Sequence, residues 1–325
     1  MTEPLLDVRD LSVRFETDDG TTHAVDRVSF TLAPSEVLGI VGESGCGKSV
    51  TTMAMLRLLP PTAVVSGQAL FEGVDLLKAS PAHLRRVRGG EISFVFQEPM
   101  TSLNTVFTVG RQIGEVLREH LGLSKREARA RAVELLELVR IPAQARRVDE
   151  YPHQLSGGMR QRVMIAMALA CDPKILIADE PTTALDVTIQ AGILDLMREL
   201  RERLGTAIVL ITHNLGVVAD IADRVAVMYA GRKVEEAGVE ELYAAPQHPY
   251  TIGLLGAVPR AGARRLQEIP GRVPSLAILP DACAFAPRCP RADETCIARE
   301  PPLAPVRPEH AVACVHPGVE EAVPA

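Results

Sequence analysis

Apolar and polar residues alternate near the start of the chain, and this alternation predicts a β-hairpin. The apolar positions of residues 6–15 are Leu6, Val8, Leu11, Val13 and Phe15. A period of two is typical of a strand with one buried face. Residues 24–32 give a second predicted strand, and Asp18-Asp19-Gly20 between them indicates a turn. We therefore expect an antiparallel pair, with Phe15 as the aromatic residue nearest the turn.

Further along, short and almost unbroken apolar runs alternate with stretches of helical periodicity. The apolar runs, which predict buried strands, are residues 37–41, 92–97, 174–178 and 206–211. The predicted helices are residues 50–59, about 109–139, 163–170 and about 189–204. Residues 67–74 give another strand, and residues 225–229 and 233–237 a closing hairpin. Strands alternating with helices predict an α/β fold.

A glycine-rich segment, Gly42–Ser49, joins the first apolar run to the first predicted helix. It fits G-x-x-x-x-G-K-[ST], the P-loop pattern, at every fixed position. Glycines let the backbone wrap around a phosphate chain, and N–H groups at a helix N-terminus face its negative charge. Lys48 is expected to reach the β- and γ-phosphates, and the Ser49 hydroxyl to ligate Mg²⁺. The chain is therefore predicted to bind a nucleoside triphosphate.

Polar residues follow the other apolar runs, at the strand ends where α/β sheets bind ligands. Asp179 and Glu180 close one run, and a P-loop protein needs an acid there for Mg²⁺ and another as a general base. Gln97 ends a second run and His213 follows a third. Taken alone, Gln97 is better explained as a solvated loop residue, and a lone histidine such as His213 is more often structural or solvated.

A second glycine pair, Gly157-Gly158, lies between Ser156 and Met159 at the start of a predicted helix. Backbone N–H groups at such a terminus can bind an anion. A serine N-cap without a ligand explains the same residues.

Composition narrows the function classes. The chain has 325 residues, of which 47% are hydrophobic, 23% charged and 3% aromatic, and its formal net charge is −6. A polybasic nucleic-acid binder and base-stacking platforms are therefore not expected. No apolar run approaches the ~20 residues that span a bilayer, and residues 1–9 do not have the form of a signal peptide. These features predict a soluble, cytoplasmic protein.

The order and spacing of these motifs resembles the ATP-binding subunits of ATP-binding cassette (ABC) transporters over about residues 5–245. Leu-Ser-Gly-Gly before the acidic strand is its most specific element, because ordinary P-loop proteins lack it. Met159 stands where the family usually has Gln, and Asn214 where Asp is common.

The resemblance implies a role for each matched residue. The P-loop residues would hold ATP and Mg²⁺: Gly42, Ser44, Gly45, Gly47, Lys48 and Ser49. Phe15 would stack on adenine, Asp179 would help hold Mg²⁺, and Gln97 would sense Mg²⁺ and couple to the membrane partner. Glu180 would be the catalytic base, and His213 would contact the γ-phosphate.

Other implied roles lie between subunits. Ser156, Gly157 and Gly158 would contact ATP bound on the opposite subunit, and Asp186 would communicate across the dimer interface. The chain carries one cassette, so the second comes from a copy or, as family precedent favours, from a sibling subunit in a heterodimer. Two transmembrane permease subunits and an extracytoplasmic solute-binding protein are the other expected partners. The expected location is the cytoplasmic face of the inner membrane, as a peripheral subunit.

Segments after the cassette resemble the C-terminal extension of oligopeptide, dipeptide and nickel importer ATPases. They are His248-Pro249-Tyr250-Thr251, Val258-Pro259-Arg260 and Ile269-Pro270-Gly271. The resemblance implies ATP hydrolysis that powers peptide import. A nickel or other small-solute importer, a soluble non-transport ABC ATPase and a nucleotide-gated assembly subunit are the alternatives. An exporter ATPase is a further alternative, which the C-terminal extension disfavours.

Four of the six cysteines lie in the last 45 residues: Cys283, Cys289, Cys296 and Cys314. Disulfides are not the default in a reducing cytoplasm, and a proline-rich tail with little apolar core benefits from a metal. The gaps of five, six and seventeen residues are wider than those of most zinc sites and differ from the ferredoxin run, so spacing does not choose the metal. The resemblance favours a [4Fe–4S] cluster, ahead of structural Zn²⁺ and of unligated or disulfide-paired thiols.

The expected fold is an α/β P-loop ATPase core with an antiparallel β subdomain and a helical subdomain at about residues 101–160. The cassette is predicted to span residues 1–245. A small, cysteine- and proline-rich C-terminal extension follows at residues 246–325, because fourteen of the 24 prolines lie after residue 245.

Overall fold

The computed structural model describes residues 3–17, 20–98, 102–182, 187–257, 269–274 and 281–318. They belong to two compact units. Unit 1 lies within residues 1–32, 37–78 and 211–325, and unit 2 within residues 33–36 and 79–210. The predicted division at residue 245 is a sequence-based boundary and stays a prediction.

Strands and helices alternate along most of the chain. The strands are β1 Leu6–Thr17, β2 Gly20–Leu32, β3 Val37–Val41, β4 Ala63–Phe71, β5 Val74–Asp75, β6 Ile92–Val95, β7 Ile175–Asp179, β8 Ala207–Thr212, β9 Arg224–Tyr229, β10 Arg232–Gly238, β11 Ala304–Arg307 and β12 His310–Val312. The helices are α1 Lys48–Met55, α2 Pro81–Val87, α3 Val109–Leu121, α4 Lys125–Leu138, α5 Gln144–Arg147, α6 Gly157–Ala168, α7 Val187–Leu204, α8 Leu215–Ile221, α9 Val239–Ala244, α10 Pro249–Gly256 and α11 Glu294–Ala298. Short 3₁₀ turns cover Pro152–Gln154 and Ala286–Arg288.

An antiparallel sheet of order β2-β1-β4-β5 lies in unit 1 and confirms the predicted hairpin. The β1–β2 ladder runs from Leu6 opposite Leu32 to Thr17 opposite Gly20. Strand β2 begins four residues before the predicted start, since ladder hydrogen bonds come from the main chain and do not require apolar side chains. Residues 18 and 19 of the predicted turn lie outside the described residues.

Unit 1 also has a second set of paired strands, in the order β11-β12-β10-β9-β3. Strand β3 is buried at all five positions and pairs in parallel with β9. The predicted hairpin of β9 and β10 is confirmed, and Ala230 and Gly231 turn it with positive φ angles of 48° and 80°. Strand β12 pairs antiparallel with β10, so residues near the C-terminus belong to the same sheet.

In unit 2 the strands run in the order β8-β7-β6, with β6 parallel to β7. Strand β7 is buried at all five positions, which agrees with its unbroken apolar sequence. The stretch predicted as helical from about residue 109 to 139 forms two helices. Gly122 ends α3 with φ 67°, and Ser124 starts α4 with a capping box completed by Glu127.

No helix in the described part of the chain is both long enough and apolar enough to cross a membrane.

Candidate nucleotide-binding site

The glycine-rich segment Gly42–Ser49 lies in unit 1 between β3 and α1, as its sequence predicts. Gly42 has φ 154°, and a Cβ there would lie 2.2 Å from the Met228 carbonyl oxygen. Gly47 has φ 98°, and a Cβ there would lie 2.4 Å from the Ala24 carbonyl oxygen. Both positions therefore require glycine, because a side chain would meet backbone that cannot move aside.

Lys48 starts helix α1 and is only 6% exposed. Its Nζ donates hydrogen bonds to the carbonyl oxygens of Gly42, at 2.8 Å, and Glu43, at 3.0 Å. The buried ammonium is thus held by the backbone of the loop it closes, which satisfies a charge that burial would otherwise destabilise.

The other P-loop positions differ in exposure. Ser44 and Gly45 are exposed, and Ser49 is half-buried in the first turn of α1. Cys46 is fully buried, and this burial raises the pKa of its thiol. Its side chain is therefore a packing element of the loop, while the exposed face of the loop is formed by Ser44 and Gly45.

Two other predicted site residues belong to the same unit. Phe15 is half-buried on β1, opposite Thr22 of β2 and Ala63 of β4. His213 is exposed and directly follows β8, and Asn214 after it caps helix α8 by accepting from the Gly216 N–H at 3.0 Å. The cap explains how Asn serves at a position where the family often has Asp.

In unit 2 the predicted acids and glutamine meet at the ends of β6 and β7. Asp179 is the last residue of β7 and is 5% exposed. Glu180 follows with φ 45°, a left-handed conformation that is uncommon for a residue with a side chain and is frequent at functional sites. Gln97 Nε2 donates to Glu180 Oε2 at 3.1 Å. The glutamine and the proposed base are therefore direct neighbours.

The Ser156–Gly158 segment starts helix α6 in unit 2. Ser156 is its N-cap and accepts a hydrogen bond from the Met159 N–H at 3.4 Å. A Cβ on Gly158 would lie 2.9 Å from Ile189, whereas Gly157 has open space. The segment is thus an N-cap with an exposed serine and an exposed glycine. Asp186, the remaining predicted residue, lies outside the described residues.

Glu43, a variable position of the P-loop pattern, makes contacts that the sequence did not reveal. Its carboxylate accepts from Arg288 and its backbone N–H donates to the Tyr250 hydroxyl. These partners lie 245 and 207 residues away along the chain, so no local pattern could indicate them.

The four clustered cysteines line one small cavity in unit 1, together with His248, Arg291 and His316. All four are free, and burial raises the pKa of Cys283 and Cys296, and that of Cys314 to about 11. In the described part of the chain, the group whose candidate ligand atoms all lie within 4.8 Å of one another is Asp293, Cys296 and His316. No three of the four described cysteine sulfurs meet that limit.

Comparison with known proteins decides the family. Residues 25–183 match the ABC transporter family, and residues 234–296 match the C-terminal region of oligopeptide/dipeptide transporters. A probable peptide ABC transporter ATP-binding protein of Sinorhizobium fredii is 54% identical over 315 residues, which are 95% of this chain and 94% of that protein. The chain belongs to the ATP-binding subunits of ABC transporters. A putative peptide import ATP-binding protein of Brucella abortus is also 54% identical over 303 residues, covering 92% of this chain and 91% of the relative.

Solved ABC cassettes share the fold. The dimeric, post-hydrolysis structure of the cassette MJ0796 bound to ADP and Pi matches with a TM-score of 0.65 and 29% identity, over 72% of this chain and 98% of that one. The cassette cbiO1 of Clostridium perfringens, part of the transporter complex cbiONQ, matches with a TM-score of 0.61 and 30% identity, over 75% and 92%. The expected P-loop ATPase fold is confirmed, and the ABC subunit is accordingly an ATPase.

Proposed function

We propose that this ABC subunit hydrolyses ATP to power the import of peptides. The observation that carries the proposal is the nearly full-length likeness to proteins named for peptide import, together with the match to the oligopeptide/dipeptide C-terminal region. A likeness limited to the cassette would support ATP hydrolysis alone, because transporters of many solutes share that part.

The P-loop is the part of the chain that holds the phosphates. The N-terminus of α1 and the buried Lys48 offer positive charge to a triphosphate. Mg²⁺, when bound, offsets phosphate charge, and the oxygens of Ser49, Gln97 and Asp179 are the ligand type that this ion prefers. Phe15 is the proposed stacking partner of the adenine ring.

Glu180 is the proposed general base, which takes a proton from the water that attacks the γ-phosphate. Support comes from its place directly after a buried strand and from its hydrogen bond with Gln97. Gln97 orients the Glu180 carboxylate through this bond, and His213 contacts the γ-phosphate.

ATP hydrolysis is proposed to require two cassettes. Ser156, Gly157 and Gly158 would contact ATP on the opposite subunit, which fits the exposed N-cap of α6. The opposite subunit is proposed to be a sibling chain.

As a transporter subunit the chain works with membrane permeases. We propose a pair of them, joined by an extracytoplasmic solute-binding protein, with this subunit at the cytoplasmic face of the inner membrane.

Uptake of a labelled dipeptide and of a labelled pentapeptide by cells that lack the chain tests the substrate. Restoring the wild-type chain should restore uptake of at least one peptide, whereas Glu180→Gln should restore neither. If the wild-type chain restores uptake of ⁶³Ni²⁺ but of neither peptide, the proposal of peptide import is wrong and the chain powers nickel import.

For the four cysteines we propose a [4Fe–4S] cluster. All four line one cavity, and cysteine thiolates are the usual ligands of such clusters. A tetrahedral zinc ion at ~2.3 Å from each sulfur would place the sulfurs about 3.8 Å apart. No three of the four described sulfurs lie within 4.8 Å of one another, and structural Zn²⁺ is the alternative to the cluster. Bound there, it would cross-link the proline-rich tail.

Iron, sulfide and zinc analysis of the anaerobically purified chain tests the cluster, with Cys171→Ser as a control outside the cavity. We expect four irons per chain and a broad visible absorption that Cys283→Ser removes and Cys171→Ser retains. A colourless protein with one zinc per chain would contradict the cluster. If the His316→Ala variant then lacks this zinc, the metal is bound by Asp293, Cys296 and His316.

A further inference from the structure

Glu43 is held through all three of its polar groups. Its N–H donates to the Tyr250 hydroxyl at 2.8 Å, and its carbonyl oxygen accepts from Lys48 Nζ at 3.0 Å. Its carboxylate accepts two hydrogen bonds from Arg288, at 2.7 and 3.1 Å. Glu43 lies inside the phosphate loop, directly after Gly42, so these contacts fix the backbone of the loop itself.

Arg288 is a rigid partner. Its side chain is only 4% exposed, and it donates to the carbonyl oxygens of Pro270, at 2.8 Å, and Ile269, at 3.2 Å, and to the Tyr229 hydroxyl, at 3.3 Å. A two-pronged guanidinium–carboxylate pair fixes orientation as well as distance. The hydrogen bond with Glu43 raises the pKa of Arg288 further, so its charge is permanent.

Tyr250 is fixed in a similar way. It is fully buried on helix α10, and its ring lies 4.6 Å from that of Tyr229 and 5.5 Å from that of Phe285. Burial raises the pKa of its hydroxyl, which therefore stays neutral. Both Tyr250 and Arg288 come from the segment after the cassette, and Arg288 directly precedes Cys289.

The two residues are placed to prepare the loop for its ligand. A phosphate loop that is ordered before binding does not lose further conformational freedom when the phosphates arrive, and affinity rises accordingly. The Lys48 ammonium is bonded to the same residue that the two side chains hold, so the position of the lysine depends on theirs.

We propose that Arg288 and Tyr250 form a clamp on Glu43, through which the C-terminal extension positions the phosphate loop and sets its affinity for nucleotide. The clamp rests on the proposed role of the P-loop in binding ATP. Arg288 and Tyr250 are positioning residues, since they act through Glu43 and not on the phosphates.

Equilibrium binding of MgATP and MgADP to the full chain tests the clamp, with turnover measured in the assembled transporter. Glu43→Gln and Arg288→Gln should each weaken both nucleotides about tenfold, because each breaks a charge-assisted pair. The double variant should lose no more than either single variant, since both remove the same interaction. Tyr250→Phe, which keeps the packed ring, should weaken binding several-fold. Turnover at saturating ATP by Arg288→Gln and Tyr250→Phe should stay within about twofold of the wild type, as for a loss of ground-state binding.

The matched control is Arg307→Gln, which removes an exposed arginine of the same segment that pairs with Glu241 and not with the loop. Its nucleotide affinity should equal that of the wild type. Binding by the wild type and its loss in Lys48→Ala establish the ATP site independently of the clamp. Given that result, wild-type affinity in Arg288→Gln and Tyr250→Phe would overturn the clamp, as would additive losses in the double variant. If Arg288→Gln does not fold, Tyr250→Phe alone decides.

Discussion

At the scale of single residues, Lys48 combines burial with a full charge. Its ammonium is bonded to two loop carbonyls, which are partners that a phosphate oxygen can replace without exposing the charge. The motif predicted that Lys48 binds phosphate, and this role stays a prediction. Its contacts with Gly42 and Glu43 became evident only from the folded loop.

Lys48→Ala should abolish tight nucleotide binding. Removing a charged donor to phosphate corresponds to a loss of at least about tenfold in affinity. Titration of the full chain with MgATP measures the change. Lys174→Ala is the matched control, because Lys174 forms an exposed ion pair with Glu91 at 3.2 Å. The nucleotide affinity of this variant should equal that of the wild type. Equal affinity in Lys48→Ala and the wild type would contradict the assignment of the loop.

The residues that sequence could place were those with a local pattern. Asp179 ends an apolar strand and Glu180 directly follows it, so their position at a strand end was predictable. The left-handed backbone of Glu180 was not, since it depends on how the chain leaves β7. The partners of Glu43 were also hidden, because they depend on the folding of distant segments onto the loop.

At the scale of elements, the phosphate loop depends on the backbone that surrounds it. Gly42 is pressed against the carbonyl of Met228 in β9, and Gly45 has open space at the position of a Cβ. Both glycines have positive φ angles, 154° for Gly42 and 79° for Gly45, but only Gly42 is crowded.

Gly42→Ala should therefore destabilise the chain more than Gly45→Ala. The first change combines strain with a clash and should cost about 3 kcal/mol or more, whereas strain alone costs about 1 to 2 kcal/mol. Urea unfolding of both variants and the wild type measures the difference. Equal free energies of unfolding for the two variants would show that Met228 does not constrain the loop.

The N-cap residue of helix α10, His248, gives a prediction about the pH dependence of stability. His248 accepts a hydrogen bond from the Tyr250 N–H, and burial lowers the pKa of His248 from 6.5 to about 3. The unfolded chain therefore takes up a proton as the pH falls below 6.5, while the folded chain does not until about pH 3. The contribution of His248 to stability is thus complete above pH 6.5 and is lost progressively below it.

His248→Asn keeps a good N-cap and removes this titration. Between about pH 5 and pH 6.5, the free energy of unfolding of the wild type should fall more steeply with acidification than that of the variant. Urea unfolding at several pH values measures both slopes. Parallel slopes would mean that His248 titrates alike in the folded and unfolded chains.

Helix boundaries show why element prediction from sequence is incomplete. The apolar stripe of residues 109–139 continues across a break at Gly122, which ends α3 in the left-handed conformation, and Ser124 caps the next helix. Periodicity records which face is buried and is insensitive to a turn that keeps both helices on the same core.

At the scale of the whole molecule, we propose that this ATPase acts as one half of a pair. Its P-loop and His213 would bind the ATP of this chain, and its Ser156 region would contact the ATP bound to the partner. Family membership was predictable because the motifs are short and ordered along the chain. The solute was not predictable from the cassette motifs, since their residue types indicate phosphate and Mg²⁺ chemistry and not solute recognition.

The pairing gives a prediction for the assembled transporter. Lys48→Ala in this chain should remove one nucleotide from the complex and leave one bound, because the Ser156 region still serves the partner's site. Counting bound nucleotide per complex with a labelled, non-hydrolysable ATP analogue measures this. Two nucleotides per complex, or none, would contradict the shared arrangement.

The most direct test of the central claim is phosphate release by the transporter reconstituted in proteoliposomes with its solute-binding protein, with and without peptide. We expect peptide to stimulate ATP hydrolysis by the wild type, and Glu180→Gln to bind ATP without releasing phosphate above background. Undiminished phosphate release by Glu180→Gln, or wild-type hydrolysis that does not respond to any peptide, would contradict an ATPase that uses Glu180 to power peptide import.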